Sequence, residues 1–112
     1  MTKYLISFPA EAMQLAPEDF EAAGRDSRAV IAEAKSAGVY VFAAGLDSAE
    51  EPLLVPPEGP ATRGTHPGSN LSGGFTILEL PDRAAAEHWA AKIARACRCA
   101  QEVRAFHFDP LT

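Results

Sequence analysis

A chain of 112 residues fits one domain, and a domain of this size can bury about two-thirds of its unfolded surface. With 47% hydrophobic and 22% charged residues, the composition is that of a folded globular protein rather than a disordered one. A net charge of −5 with no basic block argues against nucleic-acid binding by counterion release, and the longest apolar run, Gly38–Leu46, falls short of the ~20 residues a membrane helix needs.

The first segment, Lys3–Phe8, puts Tyr4, Ile6 and Phe8 on one side and Lys3, Leu5 and Ser7 on the other. That period of two predicts a strand, which Pro9 ends. The same stretch has neither the apolar core nor the small-residue cleavage site of a signal peptide, so no membrane association and a cytoplasmic location are expected. Pro17 followed by Glu18 and Asp19 reads as a helix start, with acids at the positive end of the dipole. Phe20, Ala23, Val30, Ile31, Ala34 and Ala37 then recur at helical spacing. Gly24 and Asp26 interrupt the pattern, which allows a short helix followed by a longer one capped by Asp26. Lys35 in the last turn and Gly38 beyond it mark the stop.

Val39–Ala44, β-branched and aromatic, predicts a second strand. Leu53-Leu54-Val55 and Ala61-Thr62-Arg63 flank Pro56-Pro57-Glu58-Gly59-Pro60, which reads as a small peripheral hairpin whose prolines confine it to an edge. Gly64–Gly74 is the longest loop-like stretch. Phe75–Leu80 is the third main strand, and Pro81-Asp82 switch it to a helix with Asp82 as the cap. Ala86, Trp89, Ala90, Ile93 and Cys97 form that helix's buried stripe, with Glu87, Lys92 and Arg95 facing out. The last strand runs from about Glu102 to Phe108.

This order gives a single α+β domain over residues 1–112, a ferredoxin-like βαββαβ unit with a peripheral hairpin and both helices on one face of a four-stranded antiparallel sheet. Alternation divides Leu5, Leu78, Leu80, Phe106 and Phe108 from Tyr4, Ile6, Phe75, Ile77 and Val103, and either set is too apolar to leave wet. Burying about 500 Å² of such surface is worth on the order of 10 kcal/mol before the cost of association. A homodimer through the sheet is therefore expected.

Cys97 and Cys99, two residues apart, are read as free thiols, Cys97 on the inner face of its helix. Zinc would need two further ligands from His66, His88 and His107, and the paired spacing of structural zinc motifs is missing; no metal site and no cofactor are expected. The glycines Gly68 and Gly73-Gly74 lead into a strand rather than a helix N-terminus, so turn geometry explains them better than phosphate cradling. His66 is the side chain to single out: it stands in a Gly/Pro-rich loop before a central strand, where a rigid scaffold can present it to a cleft as a general acid or base. Asp47, at the end of the second strand, is placed to orient it, with Arg63 and Ser69 as candidate ligand contacts. Solvation explains His66, and capping or solvation Asp47, more simply. Lys92, Arg95 and Arg98 complement the negative end of their helix.

The chain resembles the YCII-related family, also called the DGPF domain, over nearly its whole length. The features that carry the resemblance are the Lys3-Tyr4-Leu5-Ile6 strand, the Ala37-Gly38-Val39 exit leading to Gly45-Leu46, and Gly73-Gly74-Phe75-Thr76-Ile77-Leu78-Glu79-Leu80. They continue with the Ala-rich helix carrying Trp89-Ala90 and the closing Gln101-Glu102-Val103-Arg104. The resemblance implies a dimeric α/β barrel with a small-molecule pocket, taking a small acidic or lactone-like ligand; its enzymatic form would be a lactone isomerase or elimination-type enzyme using His66 as general acid/base. The family's Asp-Gly-Pro-Phe-Ala-Glu motif has only Thr65–Asn70 as its nearest counterpart, and the histidine proposed as catalytic in some relatives falls where this chain reads Arg25-Asp26-Ser27-Arg28.

Overall fold

The computed structural model describes residues 1–112. Strand β1 (Thr2–Phe8) leads through two single turns of 3-10 helix to α1 (Phe20–Ser36), and β2 (Tyr40–Gly45) follows. A two-stranded hairpin, β3 (Leu53–Leu54) and β4 (Thr62–Arg63), precedes β5 (Gly74–Leu80), α2 (Arg83–Cys97) and β6 (Glu102–Ala105). The main sheet has the order β2-β5-β1-β6 with every pair antiparallel. None of the helices is long and apolar enough to cross a membrane.

Local chemistry accounts for the boundaries. Asp82 adopts an extended backbone and its carboxylate accepts a 2.9 Å bond from the Ala85 amide, capping α2 as its position after Pro81 predicts. Gly38 carries a φ of +75°, the left-handed exit from α1 that a residue without Cβ adopts freely. The expected interruption at Gly24 and Asp26 does not occur: α1 is one helix of 17 residues, and Pro17–Asp19 is a 3-10 turn running straight into it. Ser27 Oγ donates to the Gly24 carbonyl, and Asp26 caps nothing, because its carboxylate is 2.9 Å from Arg98 at the end of α2.

The core lies between the helices and one face of the sheet. In α1 Ala23, Val30 and Ala34 repeat at spacings of seven and four, and in α2 Ala86, Ala90, Ile93 and Cys97 at four, three and four. Of these, all but Ala23 meet Tyr4, Ile6, Leu78 and Leu80 from the sheet. Lys92 does not face out freely, as the sequence suggests. It ion-pairs with Glu33 across the helix seam and lies 5.2 Å from the Trp89 ring. Lys92 and Arg98 thus clamp α1 to α2 as well as complementing the α2 dipole.

The register corrects the division of apolar residues between the two faces. Tyr4 pairs with Leu78 and Thr2 with Leu80, so both leucines join Tyr4 and Ile6 under the helices. Phe75 and Ile77 go instead to the uncovered face with Leu5. That face has three cross-strand rows: Ala44, Phe75, Ser7 and Glu102; Phe42, Ile77, Leu5 and Arg104; Glu79, Lys3 and Phe106. Phe106 continues the β6 ladder by one bond to the Lys3 carbonyl, but the strand ends at Ala105 rather than Phe108. Glu79 apart, the β2–β5 side of the face is apolar. The β1–β6 side is charged but self-neutralised, by Lys3–Glu79 at 3.0 Å and Glu102–Arg104 at 2.8 Å.

The molecule is a slab of 45 × 44 × 20 Å that exposes 7766 Å², whereas a compact monomer of this length exposes about 6,000 Å². Its radius of gyration, 15.7 Å, likewise exceeds the ~13 Å of a compact domain. Only Ile6, Leu78 and Leu80 are large side chains buried almost completely, and Phe42 remains 52% exposed.

Candidate functional site

The four residues predicted from the sequence lie at or beyond the end of the sheet where β2 stops and β5 starts. Asp47 follows β2 by two residues, and its Oδ1 accepts a 2.9 Å bond from the Ala49 amide. This is an Asx turn, and it occupies the carboxylate with local backbone. Arg63, on β4, is exposed and faces Glu51 at 3.5 Å. His66 is exposed; its carbonyl accepts from the Ser69 amide in a turn that contains Gly68 at φ +81°, while its imidazole makes no hydrogen bond or ion pair. Ser69 is exposed as well.

Asp47 alone among these lines one of the principal clefts. That cleft, about 540 Å³, is walled by Leu46, Pro52 and Leu71 and carries the carboxylates of Asp47, Glu50 and Glu51. Asp47 and Glu50 face no cation and Glu51 is met only by Arg63, which does not line the space, so the cleft stays acidic and repels an anionic ligand.

A second cleft, of about 460 Å³, opens at the opposite end of the uncovered face, between the start of β1 and the segment after β6. Phe106 and Phe108 supply aromatic wall, and Lys3, Glu79, His107 and Asp109 supply polar groups. Its position follows from backbone chemistry. The Phe106 amide bonds the Lys3 carbonyl, and Asp109 then folds the chain back, with its Oδ1 accepting from Leu111 and its carbonyl from Thr112. Both volumes suit a small molecule, but only this cleft combines apolar walls with cationic and anionic groups. The sequence held one signal of it, the alternation of aromatic and titratable residues in Phe106-His107-Phe108-Asp109.

The thiols are separate from both clefts. Burial, then the neighbouring Cys99 charge, push the Cys97 thiol above its ordinary value, with Arg98 opposing; burial alone raises Cys99. Neither is poised as a nucleophile near neutral pH. No three His, Cys, Asp or Glu side chains converge on a metal-sized site.

Gly73 and Gly74 have a role that turn geometry does not describe. Neither has a positive φ, and a Cβ on Gly73 would lie 2.0 Å from the Phe8 carbonyl oxygen. A Cβ on Gly74 would meet the Phe8 ring at 2.8 Å. They let β5 begin flush against the end of β1, beside the Leu46–Gly73 bond that closes the hairpin's base. No protein-family model matches this chain, and no curated protein matches it.

Proposed function

We infer that the chain is a homodimeric small-molecule-binding domain of the YCII-related kind: a ferredoxin-like unit that pairs through its uncovered sheet face into an α/β barrel. The strand order β2-β5-β1-β6, with both helices packed on one face, supports the ferredoxin-like reading. The observation that carries the dimer is the apolar row Phe42, Ile77 and Leu5, flanked by Phe75 and Phe106 and uncovered by the chain's own helices. The surface in excess of a compact monomer, about 1,800 Å², exceeds the ~800 Å² that one partner of a standard interface contributes. The chain as a whole carries −5, yet Lys3–Glu79 and Glu102–Arg104 leave the face itself neutral, so two copies stack without like-charge repulsion.

The ligand space is the cleft bounded by Lys3, Phe106, His107 and Phe108, which a stacked copy would roof. The aromatic walls, with Lys3 exchanging its Glu79 partner for the ligand, suit a small acidic or lactone-like ring better than the three-carboxylate cleft at Asp47 does. A binding role is favoured over a lactone isomerase or elimination enzyme working through His66, whose imidazole faces solvent without an orienting partner. Light scattering at micromolar concentration, followed by thermal-shift screening with small carboxylates and lactones, tests the reading. It expects a dimer whose stabilisation by ligand is lost in Lys3→Ala and kept in His66→Ala. A monomer, or stabilisation that depends on His66 and not on Lys3, contradicts it.

A further inference from the structure

Residues 47–71 leave the end of the sheet as an arm that the body of the protein scarcely holds. No hydrogen bond or ion pair joins this stretch to the rest of the chain; every one it makes is internal, among them Gly64 to Pro52 and Arg63 to Glu51. The core contains none of its residues. Its attachments are at the base alone, where the Leu46 amide bonds Gly73 and the Ala10 amide bonds Ser72 Oγ. A two-stranded hairpin by itself is marginally stable in water, so an arm of this kind requires a surface to lie on.

The arm is built to meet an apolar one. Leu53, Val55 and Leu71 are 64%, 71% and 65% exposed, far more than a solvated loop needs. Five prolines (Pro52, Pro56, Pro57, Pro60 and Pro67) restrict the backbone, which lowers the entropy lost on docking. The arm springs from between β2 and β5, the two strands that carry the apolar half of the uncovered face. Leu46 to Leu54 can span about 25 Å if extended, and stacked sheets lie about 10 Å apart, so the tip reaches a copy seated on that face.

We propose that the β3–β4 arm of each protomer docks on the second copy of this chain, laying Leu53 and Val55 against the partner's exposed β2–β5 edge, where Phe42 stands. The proposal rests on the sheet-mediated dimer and extends it: the two copies embrace, and the arm is part of the interface. It also places part of the excess surface, because the arm (Leu53, Val55, Leu71) and the uncovered face (Phe42, Phe106) both hold bare large apolar side chains and both are covered by one association.

The test uses the full chain. In a dimer assembled from isotopically labelled and unlabelled protein, filtered NOE spectra should show Leu53 and Val55 methyls contacting the Phe42 ring of the other copy. The double variant Leu53→Asp/Val55→Asp should raise the dimer dissociation constant by about 30-fold or more, with helix content unchanged because neither residue belongs to the core. A dimer that shows no intermolecular contact from the arm, and whose affinity the double variant leaves intact, overturns the arm alone. A wild-type monomer overturns the dimer reading and the arm together.

Discussion

Gly73→Ala tests how the two central strands are fitted together. The added Cβ would stand 2.0 Å from the Phe8 carbonyl oxygen and 2.9 Å from both the Ala10 nitrogen and the Pro9 carbonyl carbon. All three are backbone atoms, so no side chain can rotate out of the way. The first contact is about 1 Å inside the shortest approach that real Cβ atoms make. Relief requires the end of β1 to move from the start of β5, where Phe8 pairs with Gly74, and it disturbs the bonds from Leu46 to Gly73 and from Ala10 to Ser72. Overpacking costs about 1–3 kcal/mol and each hydrogen bond about 1 kcal/mol, so a loss of about 3 kcal/mol is expected. For a domain of this length that lowers the melting temperature by about 12–15 °C, measurable by calorimetry or urea titration. Gly59→Ala is the control: it sits in the hairpin with nothing within 4 Å and a φ of +97°, so only the backbone penalty, about 1 kcal/mol, applies. A Gly73→Ala protein as stable as wild type would refute the close-approach explanation.

Asp82→Ala removes the acceptor for the Ala85 amide and is expected to cost about 1 kcal/mol in urea unfolding, whereas Asp82→Asn should retain most of the stability. The raised Cys97 thiol gives a pH signature with a definite sign. Its folded value lies above the ordinary 9.0, so the stability it contributes is complete below that value and is lost as pH rises toward the folded value. The urea midpoint of wild type should therefore fall more steeply above pH 9 than that of Cys97→Ala; equal slopes would remove Cys97 from the linkage. Phe42→Asp places a charge at the exposed β2 end of the apolar row and is expected to dissociate the proposed dimer without unfolding the chain, as read by light scattering alongside circular dichroism.

Much of the fold could be read from residues next to one another in the chain. Alternation in Lys3–Phe8, the cap at Asp82, the exit at Gly38 and the hairpin flanking Pro56–Pro60 each act within a few residues, and each is present in the structure. Relations between distant segments were not legible in this way. Alternation assigns Leu78 and Ile77 to opposite faces, but only the pairing of Leu78 with Tyr4 says which face lies under the helices. Gly24 and Asp26 looked like a break because propensity is local; the packing of Ala23 and Ala34 overrides it. Lys92 and Arg98 find Glu33 and Asp26 from more than fifty residues away.

The candidate site was the least legible part, for the same reason. His66 and Asp47 lie on an arm whose course depends on few contacts, and composition alone does not say whether such a loop folds inward or stands out. The cleft at Phe106–Asp109 forms only because β6 lies alongside β1, a pairing of residues about a hundred positions apart. The glycine pair before β5 was visible as sequence, but its purpose is a backbone contact with Phe8 that no local pattern encodes.

Sedimentation equilibrium of the wild-type chain beside Phe42→Asp tests the central claim most directly. Pairing through the bare sheet face requires wild type to sediment at twice the chain mass in the micromolar range and Phe42→Asp at the mass of one chain. Wild type at the mass of one chain, or a Phe42→Asp protein that still sediments as a pair, would contradict it.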